Sequence, residues 1–480
     1  MNRELSPPVL DQAPSRVRYG VLFFVCTLAM ITYLDRVCFA QAGDDIRSEL
    51  GLHSPGDLGL AFTAFALSYA IFEIPTGWLG DVFGPRSTLI RIVLWWSLFT
   101  GLTGMIGLSF LGPVGFQFWL LVVIRFLFGI GEAGAFPNIT RALHNWLPFT
   151  ERGLGQGAVW MSGRLAGGLT PLIWGLLIVQ AGLHWRDAFW VFAALGIAWC
   201  VGFALWFRNT PAEKESVNEA ERALIAQGRT DEGHAHANVP WGRLLSSTNL
   251  WALCLMYFCA AYGWYFNITY LPTFLEQQFG IDKKDLLGSV YKGGPLWMGA
   301  IACLVGGLAT DWFIRRTGNR KWGRRLFGVV GHSVCAVCYL ACLFAPTAFT
   351  FFLAISMAAF WNDLTMGSAW SVCQDIGKRY AAIVAGAMNT IGNLGGAAAG
   401  FITGRILNSH LDAYAAAQGV AVKDLSPEAA AGALLPGYHI NFLVFALVYV
   451  VAVLFWLRVD ATEPVVPDTT EPPAEGAAAH

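Results

Sequence analysis

The run from Phe116 to Ile139 is long enough to cross a bilayer, yet it carries Arg125 and Glu132 in its interior. A helix of about 20 residues spans the roughly 30 Å hydrocarbon core, and a charge near its middle costs about 2.5 to 3.5 kcal/mol even on lenient scales. Such residues persist only when paired or wetted inside a bundle. Arg125 and Glu132 are seven residues apart, which places them on one helix face about 10 Å apart along the axis, too far for direct contact. Each needs a partner from another helix, and the first apolar run offers the adjacent Asp35 and Arg36. Two acids and two bases inside one half of a membrane bundle point to ion-coupled transport.

The rest of the chain repeats this pattern of long apolar runs. With 55% hydrophobic and 13% charged residues in 480, it is too apolar for an ordinary soluble enzyme and reads as an all-α, polytopic membrane protein. Hydropathy gives twelve transmembrane helices, near 19–42, 57–80, 87–108, 115–140, 153–180, 187–207, 248–275, 287–313, 325–345, 348–373, 380–407 and 438–457. These divide the chain into a leader (1–18), a six-helix bundle (19–208), a polar central loop (209–246), a second bundle (247–458) and a tail (459–480) expected to be disordered. The central loop carries Ser216-Val217-Asn218-Glu219 ahead of an apolar-patterned stretch ending in glycine, a capping-box start for a short surface helix. A second short helix is expected from Ser426 within the external stretch 408–436.

Charge distribution sets the orientation. Of the 31 Lys and Arg residues, 21 fall on one side, five on the other and five within spans, which makes both termini cytoplasmic by the positive-inside rule. No cleavable signal peptide is evident in the leader. Net charge is −1, so total charge says nothing about nucleic acid and its distribution carries the information; the expected partners are a small anion, protons and the bilayer, with no nucleic acid. The ten cysteines fall inside spans and read as small core residues; His332, Cys335, Cys338 and Cys342 come closest to a metal spacing but drift around their helix without carboxylates, so neither metal nor cofactor is expected. Glycines at 392, 396, 400 and 404, and at 163, 167 and 175, recur at helix-packing intervals and follow no strand, which excludes a phosphate loop.

The halves echo each other. Gly77-Trp78-Leu79-Gly80-Asp81-Val82-Phe83-Gly84-Pro85-Arg86 follows the second span, and Gly307-Leu308-Ala309-Thr310-Asp311, with Arg315 after it, follows the eighth; the two aspartates are 230 residues apart. Glycines permit a tight reversal, and an aspartate there can cap or pair with a neighbouring helix end. Gly77, Asp81, Gly84, Arg86, Asp311 and Arg315 are therefore candidate gating residues.

The GWLGDVFGPR stretch resembles the loop signature of the major facilitator superfamily. Tyr33-Leu34-Asp35-Arg36, Ser48 to Leu52, Arg125 to Pro137 and Met388 to Gly396 resemble its anion:cation symporter branch, which includes bacterial galactonate, hexuronate and glucarate carriers. The likeness covers most of 18–458. It implies two pseudo-symmetric six-helix bundles rocking about a central site in the inner membrane, and uptake of an organic acid coupled to protons.

On the residues themselves, Arg36 suits a substrate carboxylate, since a guanidinium stays charged and binds through two parallel hydrogen bonds; the alternative is a charge pair that only orders the bundle. Glu132 is the leading proton carrier. By resemblance Asp35 is a second protonation site, with Arg125 its partner or that of Glu132. Arg164 is either a second cationic substrate contact, because three buried Arg against two acids leave one positive charge, or a partner for Asp35 or Glu132. Tyr33 and Tyr69 suit hydroxyls, as do Asn267, Asn389 and Asn393; the last two are favoured by resemblance, and interhelical glue is the alternative. The expectation is a monomeric proton-coupled symporter of a sugar acid (hexonate, hexuronate or aldarate). A sodium-coupled or other organic-anion carrier, a transporter-like sensor and an intramembrane enzyme are the rivals.

Overall fold

The computed structural model describes residues 13–52, 58–227, 239–281 and 286–466; most of the leader, part of the central loop and the tail from 467 onward lie outside it. The first six long helices are α1 (Arg18–Gln41), α2 (Gly59–Phe83), α3 (Pro85–Thr103), α4 (Val114–Glu132, continued by Ala135–Trp146), α5 (Arg152–Gly175) and α6 (Trp185–Trp206). The second six are α7 (Thr248–Thr269), α8 (Leu286–Thr317), α9 (Arg320–Cys342), α10 (Ala348–Leu364, continued by Met366–Gly377), α11 (Ala381–Gln418) and α12 (Pro427–Trp456). Nine stretches of the described residues are long and apolar enough to cross a membrane; one of them, Ala348–Gln418, holds both α10 and α11, and α3 and α7 complete the twelve.

Local chemistry explains where the helices start. Ser247, Asn319, Thr347 and Ser426 each accept a backbone N–H from the first turn of α7, α9, α10 and α12, satisfying a donor that the helix leaves orphaned. Between α2 and α3 the chain reverses through Gly84 alone, at φ 84°, with Pro85 opening the next helix. A helix does begin at Ser426-Pro427 as expected, but it runs on into α12, and α11 overruns to Gln418, so the external stretch 408–436 is largely helical extension. The central-loop helix, Glu219–Ala226, is capped by Asn218 and not by Ser216.

Leader, central loop and the segment after α12 meet on one face, here the terminal face. Glu221 is fully buried; its carboxylate accepts hydrogen bonds from the Ser15 hydroxyl (2.5 Å), the Val17 and Arg18 N–H groups, and the Arg18 guanidinium, which also pairs with Glu151. Burial alone would raise the Glu221 carboxyl, but the bonds from Ser15, Arg18 and Val17 outweigh it and hold it below the ordinary value. A depressed carboxylate stabilises the fold above its unfolded value, about 4.3, and the benefit is lost as pH falls through the lower folded value. Glu221→Gln is therefore expected to lower the thermal midpoint in detergent at pH 7 and to converge on the parent protein as pH falls below the ordinary carboxylate range. Equal midpoints at pH 7 would remove this clasp as a stabilising element.

The tail differs from the disorder expected of it at its start. Val459, Ala461, Val465 and Val466 are buried, Val465 N–H donates to Ile376 O (2.9 Å), and Asp460 pairs with Lys321. These valines give that segment apolar surface to bury; the rest of the tail, from 467, lies outside the described residues.

Candidate substrate cavity and interbundle locks

A cavity of about 470 Å³ lies between the two bundles, with Tyr33, Arg36, Tyr69, Arg164, Asn389 and Asn393 among its lining residues. Aromatic side chains supply much of the rest: Phe136, Trp160, Tyr257, Trp264 and Tyr265. Asn267, the seventh expected contact, is elsewhere. On α7 the positions Ala261, Trp264, Tyr265 and Ile268 form the cavity face at i, i+3, i+4 and i+7. Asn267 is rotated off that face and lies buried beside Tyr339.

Arg36 Nε donates to Glu132 Oε1 at 2.5 Å, while Arg36 Nη2 is buried without a protein partner. The guanidinium stacks over Tyr69, 4.6 Å from its centroid. Glu132 is placed by a break in α4, whose first segment ends at that residue, with Ala133 and Gly134 before the helix resumes. Asp35, one residue before Arg36, is fully enclosed, and neither of its oxygens meets a protein donor. Arg125 makes no ion pair with either acid among the described residues, although Asp35 and Glu132 both act on it electrostatically, and it sits over Phe39 and Phe128, 4.2 and 4.4 Å from their centroids. Aromatic faces shelter a buried guanidinium through the ring quadrupole, a partner type that charge counting passes over.

Arg164 also takes a partner the sequence reading did not choose. Its Nε and Nη2 bind Asp363 of α10 at 2.9 and 3.2 Å, a fork that crosses between the bundles, rather than Asp35 or Glu132. A second acid, Glu73 on α2, is fully buried and accepts from Asn389, from Thr390 (3.3 Å) and from Asn393 (3.4 Å), all on α11. Glu73 was missed, although a carboxylate inside a span is itself the signal that picks out functional residues. Three guanidiniums thus face four carboxylates, and the surplus positive charge inferred from three Arg against two acids does not exist.

Below the cavity, toward the terminal face, the same lock occurs twice. Asp81 on α2 accepts the N–H groups of Ala382 (3.1 Å) and Ile383 (2.8 Å) in the first turn of α11; Asp311 on α8 accepts those of Gly153 (3.0 Å) and Leu154 (2.6 Å) in the first turn of α5. A carboxylate at a helix N-terminus satisfies orphan donors and meets the positive end of the dipole. Gly77 permits the approach, since a Cβ there would lie 2.7 Å from Ala382 O. Arg141 lies 3.6 Å from Asp81 and donates to Lys378 O, while Arg324 binds both Asp311 and Asp375, and Arg152 binds Asp375 at 2.7 Å. Arg86 is a different case. It donates to Ala204 O and its N–H to Asn209, both in its own half, so it braces the bundle and not the seam. Among the described residues Arg315 donates to Thr150 O alone, at 3.4 Å on the exposed rim. Arg141, Arg152 and Arg324 are the guanidiniums of the seam, and sequence could have offered them only as basic residues near the gate aspartates.

The described residues hold no group of three His, Cys, Asp or Glu able to bind a metal ion.

Comparison with known proteins agrees with this architecture. Residues 25–400 match the Major Facilitator Superfamily. A probable sulfoacetate transporter of Cupriavidus necator is 35% identical over 378 residues, 78% of this chain and 84% of that protein. A probable galactarate/D-glucarate transporter of Escherichia coli is 29% identical, covering 82% and 90%. Among solved structures, the proton:xylose symporter XylE superposes with a TM-score of 0.68 at 14% identity over 93% of this chain and 97% of that one, a likeness of fold. The chain belongs to the Major Facilitator Superfamily and is a multi-pass membrane transporter, not an enzyme.

Proposed function

We propose that this carrier, working as a single chain in the inner membrane with both termini cytoplasmic, imports a small organic acid together with protons. The substrates in view are hexonates, hexuronates, aldarates and short sulfonated acids; relatives named as transporters of sulfoacetate, galactarate/D-glucarate, L-galactonate and hexuronate support that range. The observation that carries the reading is the Arg36–Glu132 pair at the cavity wall. A substrate carboxylate takes the guanidinium through its unpartnered Nη2 and draws it from Glu132, which then holds a proton instead of a buried, unpaired charge. Arg36, Arg125, Asp35 and Tyr69 are the charged and titratable groups around Glu132. Asp35, with no protein donor, is the second proton site. Four acids against three guanidiniums leave one carboxyl with no internal counter-ion, a group that stays buried only when it holds a proton. The locks close the terminal face, while Pro171, Ile268 and Leu296 extend the cavity lining the other way; with that face cytoplasmic, as this reading has it, the arrangement is an outward-facing carrier.

Uptake of labelled galactonate, glucuronate, galactarate and sulfoacetate into proteoliposomes tests this. Accumulation under an inward proton gradient should vanish with a protonophore. Glu132→Gln should retain counterflow exchange within about threefold while losing accumulation. Normal accumulation by Glu132→Gln, or accumulation driven by a sodium gradient alone, would overturn proton coupling through this residue.

A further inference from the structure

Two guanidiniums, not one, line the cavity, and each is held by a carboxylate at a matching place in the fold. Glu132 closes the first segment of α4, and Asp363 lies one residue from the end of the first segment of α10. The separation of these acids equals, to within one residue, that of the repeated aspartates Asp81 and Asp311, so they occupy equivalent positions in the two halves. Their arginines do not obey the repeat: Arg36 comes from α1 and Arg164 from α5, both in the first half. The symmetric acids are therefore turned onto two cations on one side of the cavity.

Those cations share the neighbours Tyr33 and Tyr265. The Tyr33 hydroxyl interacts electrostatically with both guanidiniums, and both act on that of Tyr265. The Tyr33 ring packs on Gly163 and Gly167 on either side of Arg164 while lying 5.8 Å from the Arg36 guanidinium. One side chain thus bridges the interval. Each guanidinium has five N–H donors; Asp363 occupies two nitrogens of Arg164, Glu132 occupies Nε of Arg36, and Arg36 Nη2 is buried with no partner. Trp264 stacks on Arg164 at 3.9 Å and fixes its plane.

We infer that Arg36 and Arg164 are the two ends of one binding site, built for a dianion with an anionic group at each end of a short chain. This rests on the organic-acid reading above and names the class within it. Tyr33 and Tyr265 face the middle of such a molecule, and Asp363 is a positioning residue that aims Arg164 in the empty carrier. A monoanion engages one end only and leaves the other guanidinium with its internal carboxylate.

Matched acids test this: galactarate against galactonate, which differ only in whether the far carbon is a carboxylate, and sulfoacetate against glycolate, in which a hydroxyl replaces the sulfonate. Loss of one charge-assisted hydrogen-bonded end corresponds to about tenfold to a hundredfold. The parent carrier should prefer the dianion of at least one pair by that factor in uptake at low concentration. Arg164→Gln alone leaves Asp363 buried and unpaired, so the double variant Arg164→Gln/Asp363→Asn is the informative one; its dianion-to-monoanion ratio should fall to about one. Equal uptake of both members of each pair by the parent, or a ratio unchanged in the folded double variant, overturns the two-headed site. No uptake of any of the four acids by the parent overturns the organic-acid reading itself, a separate outcome.

Discussion

Arg36→Ala should reduce substrate affinity at least about a hundredfold, measured by calorimetry in detergent or as the half-saturation of counterflow. Two losses combine. The substrate carboxylate loses a charged, planar donor, and Glu132, fully buried, loses its ion pair with Arg36. The first loss sets the affinity, since a charge-assisted fork of two hydrogen bonds at about 1.5 to 3 kcal/mol each is worth about a hundredfold or more at 1.4 kcal/mol per factor of ten; the second costs stability, about 3 to 5 kcal/mol, because the survivor stays uncompensated. Recognition and folding can be separated by adding Glu132→Gln, which removes the orphaned charge. The Arg36→Ala/Glu132→Gln protein should regain the parental melting midpoint yet still fail to bind. Arg36→Lys keeps the charge but not the fork, so it should fall between the parent and alanine. Binding within threefold of the parent in Arg36→Ala would mean that the pair only orders the bundle.

How much of this site was readable in the sequence depends on whether a residue's partner was near it in the repeat. The twelve spans, the two halves and the paired gate aspartates follow from apolar run length and from one motif with its degenerate copy. Six of the seven expected substrate contacts line the cavity because cavity faces carry the polar residues of otherwise apolar helices. Asn267 fails for an angular reason: it is polar and on the right helix, but next to the face and not on it. The partners of Glu73 and Arg164 fail for a topological reason. Asn389 lies 316 residues from Glu73, and Asp363 lies 199 from Arg164, and nothing local encodes which acid meets which base across a bundle interface. Arg125 shows a third limit. Counting charges seeks an acid for every base, whereas here three phenylalanine rings lie around the guanidinium.

The lock on the terminal face yields the other large effect. Arg324 is fully buried where three connections meet: Nη1 to Asp311 and Nε to Asp375, each at 3.1 Å, and Nη2 to the Phe149 carbonyl of the α4–α5 connection, also at 3.1 Å. Asp311 in turn holds the first turn of α5, so one guanidinium ties α8, α10 and the first bundle together. Arg324→Gln keeps a hydrogen-bonding side chain but removes the cation between two buried carboxylates. A change of about 3 kcal/mol in the balance between shut and open seams shifts their ratio about a hundredfold. Cys303 reports on this without any engineered probe: it is fully buried on α8, and its carbonyl oxygen faces Gly157 of α5 across the seam. Its alkylation, mapped by mass spectrometry, should be at least about tenfold faster in Arg324→Gln than in the parent. Uptake should weaken in parallel, because affinity measured from outside falls in proportion to the fraction of carriers facing outward. Substrate should partly restore Cys303 protection if the variant is folded and merely redistributed, since a ligand favours the state it binds better. Faster alkylation that substrate leaves unchanged would point to local unfolding. An unchanged alkylation rate would place the lock in the two aspartate-capped helix ends alone, with Arg324 neutralising charge around them and contributing nothing to the choice of conformation.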